Sequence, residues 1–101
     1  AVFTANHAAT TIGHGVKVVA IAGTDEALAG STAAKYLTVQ AQTDNTSYVA
    51  VGATGVDATI ATGNGVILAP GGSYTLEVDN LADVFVDALV SGEGVRYTYQ
   101  N

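Results

Sequence analysis

The stretch Ala69–Asp79, APGGSYTLEVD, decides how this chain is read. Pro70 presets the backbone angle of the first central turn position and Gly71 supplies the positive φ of the second, so the pair predicts a type II turn. From Ser73 onward Tyr74, Leu76 and Val78 alternate with Thr75, Glu77 and Asp79, the period of two expected of a strand with one covered face. A turn running straight into such alternation predicts antiparallel β structure, and the segments on both sides follow the same pattern.

Upstream, Gly63-Asn64-Gly65 predicts a tight turn before the short strand Val66–Leu68. Val56–Thr62 places Val56, Ala58 and Ile60 on one face, Ser47–Val51 carries Val49 and Val51, and Asp44-Asn45 turns the chain out of Lys35–Gln42. In that last segment Leu37, Val39 and Ala41 alternate with Tyr36, Thr38, Gln40 and Gln42, and the series predicts a meander. Downstream, Asp79-Asn80 marks a bend. Leu81–Val90 carries both a strand set (Val84, Val86, Val90) and a helix set (Leu81, Phe85, Leu89), and its β-branched density favours strand. Gly92-Glu93-Gly94 then predicts a hairpin into Val95, Tyr97 and Tyr99, with Arg96, Thr98 and Gln100 opposite.

Toward the N-terminus, GVKVVAI (Gly15–Ile21) predicts a largely buried strand with Lys17 turned outward. Thr24–Ala34 is the one segment with helix signals, a capping Thr24 and acids at Asp25 and Glu26, and reads as a helical turn or a loop. Residues 1–14 are either an N-terminal arm or the first strand of the sheet. About seven to eight short strands at intervals of roughly 8 to 12 residues predict an all-β, single-domain β-sandwich or jelly roll over residues 15–101.

Composition agrees. The 101 residues are 49% hydrophobic and 12% charged, which is folded-domain composition rather than that of a disordered chain. Fourteen Val, thirteen Thr and five Tyr favour strands. Nine acids against three bases (Lys17, Lys35, Arg96) give a net charge of -6, a field that repels phosphate backbones and anionic lipid, so neither nucleic acid nor membrane is an expected partner. No cysteine is present, which removes disulfides, thiolate metal sites and cysteine nucleophiles. The first fifteen residues lack the basic start and long apolar run of a signal peptide, which fits synthesis in the cytoplasm.

Candidate chemistry is sparse. His7 and His14 match no metal-ligand spacing and have no neighbouring acid to act as base, so they read as surface loop residues. Asp79, Asp83 and Asp87 recur every four residues, but on a strand they would span about 27 Å, and they read as solvated acids keeping a sheet face soluble. None of Ser31, Ser47, Ser73 or Ser91 lies in a nucleophile elbow, and the glycines form no phosphate loop. Tyr97 and Tyr99 share a strand face and read as packing, with a sugar-stacking platform as the alternative. No catalytic residue, metal or cofactor is expected. Val2, Phe3 and Ile12, apolar anchors in an otherwise uncharged N-terminal segment, are the candidate interface residues, able to add to a neighbour's sheet edge.

ILAPGGSYTLEVDNLADVFVDALVSGEGVRYTY (Ile67–Tyr99) resembles the C-terminal half of small virion proteins of tailed bacteriophages, and LTVQAQTDNTSYVAVG is similar to their upstream strand, polar turn and small-residue strand. The resemblance runs from Tyr36 to Asn101. It implies a capsid decoration or cement protein: a non-enzymatic β-sandwich or jelly roll that binds the major capsid protein on the capsid exterior. It further implies a homo-oligomer, a trimer at local three-fold positions first and a dimer next. The alternative is a carbohydrate- or receptor-binding accessory module of the head or tail.

Overall fold

Alternation becomes strand wherever one face has something to pack on. A computed structural model describes residues 9–101. It contains β1 (Ile12–Val18), β2 (Glu26–Ala27), β3 (Tyr36–Ala41), β4 (Val49–Gly52), β5 (Val66–Leu68), β6 (Ser73–Glu77), β7 (Phe85–Ala88) and β8 (Gly94–Gln100), with one 3-10 turn at Leu81–Asp83. They form two four-stranded sheets, in the orders β1-β8-β3-β6 and β2-β7-β4-β5.

Every ladder is antiparallel. The pairs β1·β8, β2·β7, β3·β6 and β4·β5 are those of one long hairpin, and alternate pairs fall in opposite sheets. Contacts β3·β8 and β4·β7 close each sheet. The fold is thus a β-sandwich with jelly-roll topology.

This topology corrects two expectations. The chain changes sheet at every connection except β4 to β5, so the strands do not form a meander. Likewise β7 and β8 lie in different sheets and make no hairpin, although Gly92 (φ 91) does turn the chain between them. Leu81–Val90 is not one strand either. Asn80 caps the 3-10 turn by accepting from the Ala82 N–H at 2.9 Å, and only Phe85–Ala88 extends. The Pro70-Gly71 turn forms as expected: Gly71 has φ 83 and the Gly72 N–H donates to the Ala69 carbonyl at 2.7 Å.

Between the sheets lie Leu37, Val39 and Ala41 of β3, Val49 and Val51 of β4, Val86 and Ala88 of β7, Val95 of β8, and Val19, Leu28, Leu68 and Leu81. Each fully buried Val or Leu contributes about 1.5–3 kcal/mol of transfer free energy. β4 is covered on its outer face too, because Ala50 packs with Val56, Ala58 and Phe85. That second cluster exists because residues 53–65, expected to include a strand at Val56–Thr62, fold instead as an irregular loop against the outside of the sheet, with only the bridge Asp57–Asn64.

Asp87 holds this loop. Expected among solvated acids, it is 2% exposed. Its Oδ2 accepts from the Ala58 N–H at 2.9 Å and its Oδ1 from the Gly23 N–H at 3.0 Å, so the buried charge is met by two backbone dipoles. Asp79 and Asp83 are exposed and separate from it.

β1 is the largest departure from expectation. It starts at Ile12, so residues 12–14 are strand, and it lies at a sheet edge with its large apolar side chains facing out rather than buried. Its covered positions are Gly13, Gly15 and Lys17. The two glycines are required there: Gly13 pairs with Tyr99 and Gly15 with Tyr97, and both rings lie so close over the glycine backbones that a methyl group would overlap them. The rings stack at 6.3 Å between centroids. Lys17, expected to point outward, turns inward and meets Glu26 of β2 at 2.9 Å. Thr24–Ala34 makes no helix, only β2 and a loop.

Candidate functional site

With the inner faces filled, the open surface is the outer face of the sheet β1-β8-β3-β6. Side-chain alternation and strand register set its layout. One row across the sheet runs His14, Thr98, Thr38, Thr75, and a second runs Val16, Arg96, Gln40, Ser73. A third runs Ile12, Gln100, Tyr36, Glu77.

The first two rows line a groove of about 490 Å³ bounded by His14, Val16, Thr38, Gln40, Arg96 and Thr98. Its polar groups are held in place. The Thr38 and Thr75 hydroxyls bond each other at 3.0 Å, Gln40 Nε2 donates to the Gly71 carbonyl at 3.0 Å, and Arg96 Nε donates to Gln42 Oε1 at 2.9 Å. The latter two bonds orient the Gln40 amide and the guanidinium while leaving Gln40 Oε1 and the terminal guanidinium nitrogens for a ligand.

The groove offers hydroxyls, an amide, an imidazole and one guanidinium. Such a set binds polar ligands through hydrogen bonds but supplies no nucleophile with an oriented base, because no carboxylate hydrogen-bonds His14 among the described residues. Ser91 accepts from the Ala22 N–H and Ser31 from Asn80, both in loops rather than in the groove. Among the described residues no three His, Asp or Glu side chains gather to hold a metal ion, and no helix is long and apolar enough to cross a membrane.

Beside the groove runs an apolar margin. Ile12 (76% exposed), Val16 (60%) and Val18 (46%) project from β1 on the same outer face, and Ile21 (63%) follows in the next turn. Of the candidate interface residues, Ile12 therefore stands at the start of this margin, while Val2 and Phe3 lie outside the described residues. The Tyr97 and Tyr99 pair faces inward over the glycines and forms no outer platform; Tyr36 is the tyrosine on the open face.

Sequence reading places Thr38, Gln40, Arg96 and Thr98 on polar strand faces without joining them, and takes His14 for a loop residue and Val16 for part of a buried strand. Arg96 and Gln40 are 56 positions apart, and only the β3·β8 register puts them side by side. The local signal was the run of Thr and Gln opposite each apolar position.

No protein-family model, no curated protein and no solved structure matches this chain.

Proposed function

We propose that this chain is a non-enzymatic structural virion protein of the tailed-bacteriophage decoration type, which docks on the major capsid protein at the capsid exterior and adds stability to the shell. The observation that carries the proposal is the apolar margin of β1, Ile12, Val16 and Val18 exposed in line on an open sheet face. Exposed aliphatics aligned on one rim read as a protein-binding surface rather than as scattered surface residues. The resemblance of Tyr36–Asn101 to small virion proteins supports the same reading, and jelly rolls recur in viral capsid domains. A cysteine-free acidic protein with no basic stripe suits assembly in a host cytoplasm without capture by the genome.

The test is co-sedimentation with purified tailed-phage shells stripped of accessory proteins. Binding is expected, with Val16→Asp abolishing it while leaving the fold unchanged. Failure to bind any shell of a broad panel overturns the proposal.

A second reading is favoured by the groove: a carbohydrate- or receptor-binding accessory module of the head or tail. Arg96 is its one fixed cation, so the ligand would be an acidic sugar, oriented by Thr38, Gln40 and Thr98. Glycan-array binding that is lost in Arg96→Ala, without shell binding, would establish this reading in place of the first.

A further inference from the structure

The side-chain pattern of β1 explains its outer face but not its free edge. Thr11 and Asn101 exchange backbone hydrogen bonds, at 3.0 Å in each direction. Ladder alternation then directs the N–H and C=O of Gly13, Gly15 and Lys17 toward β8 and those of Ile12, His14, Val16 and Val18 away from it. Because β1 is terminal in the sheet order, those four residues present, among the described residues, a row of open donors and acceptors along a seven-residue strand. Such an edge is a template for another strand, and proteins normally blunt it with proline, a bulge or a charge. β1 has neither proline nor bulge, and its one charge, Lys17, is held by Glu26 at 2.9 Å.

We infer that β1 pairs antiparallel with β1 of a second copy of this chain, about a two-fold axis at Gly15. In that register Ile12 pairs with the second copy's Val18 and His14 with its Val16. These are the residues whose backbone groups are open, so every outward-facing donor and acceptor of the strand is met. On the inner side Gly15 meets Gly15 and Gly13 meets Lys17. The axis thus falls on the residue with no side chain to obstruct it, and the two lysines are not opposite each other.

Charge points to a second copy as the occupant. A chain of net charge -6 resists self-association wherever acids meet acids, yet all nine acids lie from Asp25 onward, so the edge strand β1 carries none, whereas β6 at the other edge of the same sheet carries Glu77. Pairing also places both copies of Ile12, Val16 and Val18 on one face, turning each apolar margin into half of a continuous patch across the axis. A two-fold pairing of this kind corresponds to the dimer, the second of the two oligomers that the resemblance implies.

The inference does not rest on shell binding, and its test uses no shell. Sedimentation velocity of the full chain is expected to show a concentration-dependent dimer. Ile12→Asp with Val18→Asp puts like charges opposite each other at both ends of the seam and is expected to weaken the dimer by roughly a hundredfold. Ile12→Lys with Val18→Asp pairs opposite charges in this register alone and is expected to restore it. Val16→Pro deletes an N–H that β8 does not use, so it is expected to abolish the dimer while leaving the thermal transition of the dilute, monomeric protein unchanged. A full-length chain that stays monomeric at high concentration overturns the inference, as does a dimer indifferent to the charge exchange or to Val16→Pro.

Discussion

Removing the Asp87 carboxylate should destabilise this protein more than any other single polar truncation. The Ala58 N–H, fully buried, has Oδ2 at 2.9 Å as its partner, and the Gly23 N–H has Oδ1 at 3.0 Å with a weaker second acceptor, the Ala88 carbonyl, at 3.3 Å. A hydrogen bond to a charged group contributes about 1.5–3 kcal/mol, and a buried donor left unpaired costs a similar amount. Ala58 should therefore lose the full value and Gly23 the lower end, so Asp87→Ala is expected to cost about 3–5 kcal/mol. Asp87→Asn keeps one acceptor and turns an amide NH2 toward the other donor, for about 1.5–3 kcal/mol. At about 4–8 °C per kcal/mol for a domain near this size, Asp87→Ala should lower Tm by roughly 12–40 °C. Urea titration with both variants measures the difference, and amide exchange gives the location: Ala58 and Val56 should lose protection before Leu37 and Val39 do, because the 53–65 loop is released first. An Asp87→Ala variant within about 1 kcal/mol of wild type, or uniform loss of protection across both sheets, would refute the assignment of Asp87 as the clasp of that loop.

Three further outcomes are expected. Gly13→Ala should cost about 1–3 kcal/mol by overpacking against the Tyr99 ring, and combining it with Tyr99→Ala should cost less than the two changes summed, read by chemical denaturation. Gly71→Ala should cost about 1–2 kcal/mol, since φ 83 is a left-handed angle that an L side chain resists, and should lower Tm without changing the denaturant slope. Hydrogen bonds hold three carboxyls below their ordinary range: Glu26 by Lys17 and then the Ala20 N–H, Asp57 by the Thr59 hydroxyl and N–H, and Glu93 by the Thr46 hydroxyl and N–H and then the Ser47 N–H. A depressed folded value stabilises the fold above the ordinary values of 4.5 for Glu and 3.8 for Asp, and that stabilisation is lost as pH falls through the folded values. Tm should be flat from neutral pH down to about 5 and fall in acid below that, with Glu93→Gln lowering Tm at neutral pH and flattening the acid limb.

How far the fold was legible follows from what local pattern encodes. β3, β5, β6 and β8 were readable nearly to the residue, because Leu37, Val39 and Ala41 or Tyr74 and Leu76 alternate cleanly against polar neighbours, and a half-covered strand has no other way to satisfy that period. Sheet membership was not readable. Alternation states that a strand has one covered face and is silent on which strand lies beside it, so adjacency in sequence suggested a meander where rolling pairs β1 with β8 from opposite ends of the chain. The groove depends on that information: His14, Gln40 and Arg96 become neighbours only through the β1·β8 and β3·β8 registers. Asp87 was misread for a related reason, since a carboxylate in a strand looks solvated until a loop from thirty residues upstream folds over it and donates an N–H.

β1 shows the limit most sharply. The stretch GVKVVAI (Gly15–Ile21) reads as a largely buried strand because valine and isoleucine normally seek the core and lysine the solvent, yet at Val16, Lys17 and Val18 of β1 the structure reverses both. The reversal follows from Tyr97 and Tyr99. Two tyrosine rings already fill the space that inward side chains of β1 would occupy, so only glycine fits opposite them, and the strand's aliphatic positions are forced to the other face. Glu26 then removes the remaining obstacle by holding Lys17 on the inner side. A strand arranged in this way gives up the burial of Ile12, Val16 and Val18 within its own domain, roughly 1.5–3 kcal/mol for each of them if fully buried. Recovering that burial requires a surface from outside the described residues, which the proposed shell-docking contact would supply, while the proposed dimer seam draws on the backbone edge of the same strand. The two uses are compatible, because the seam takes the backbone edge and leaves the paired aliphatic side chains on the open face.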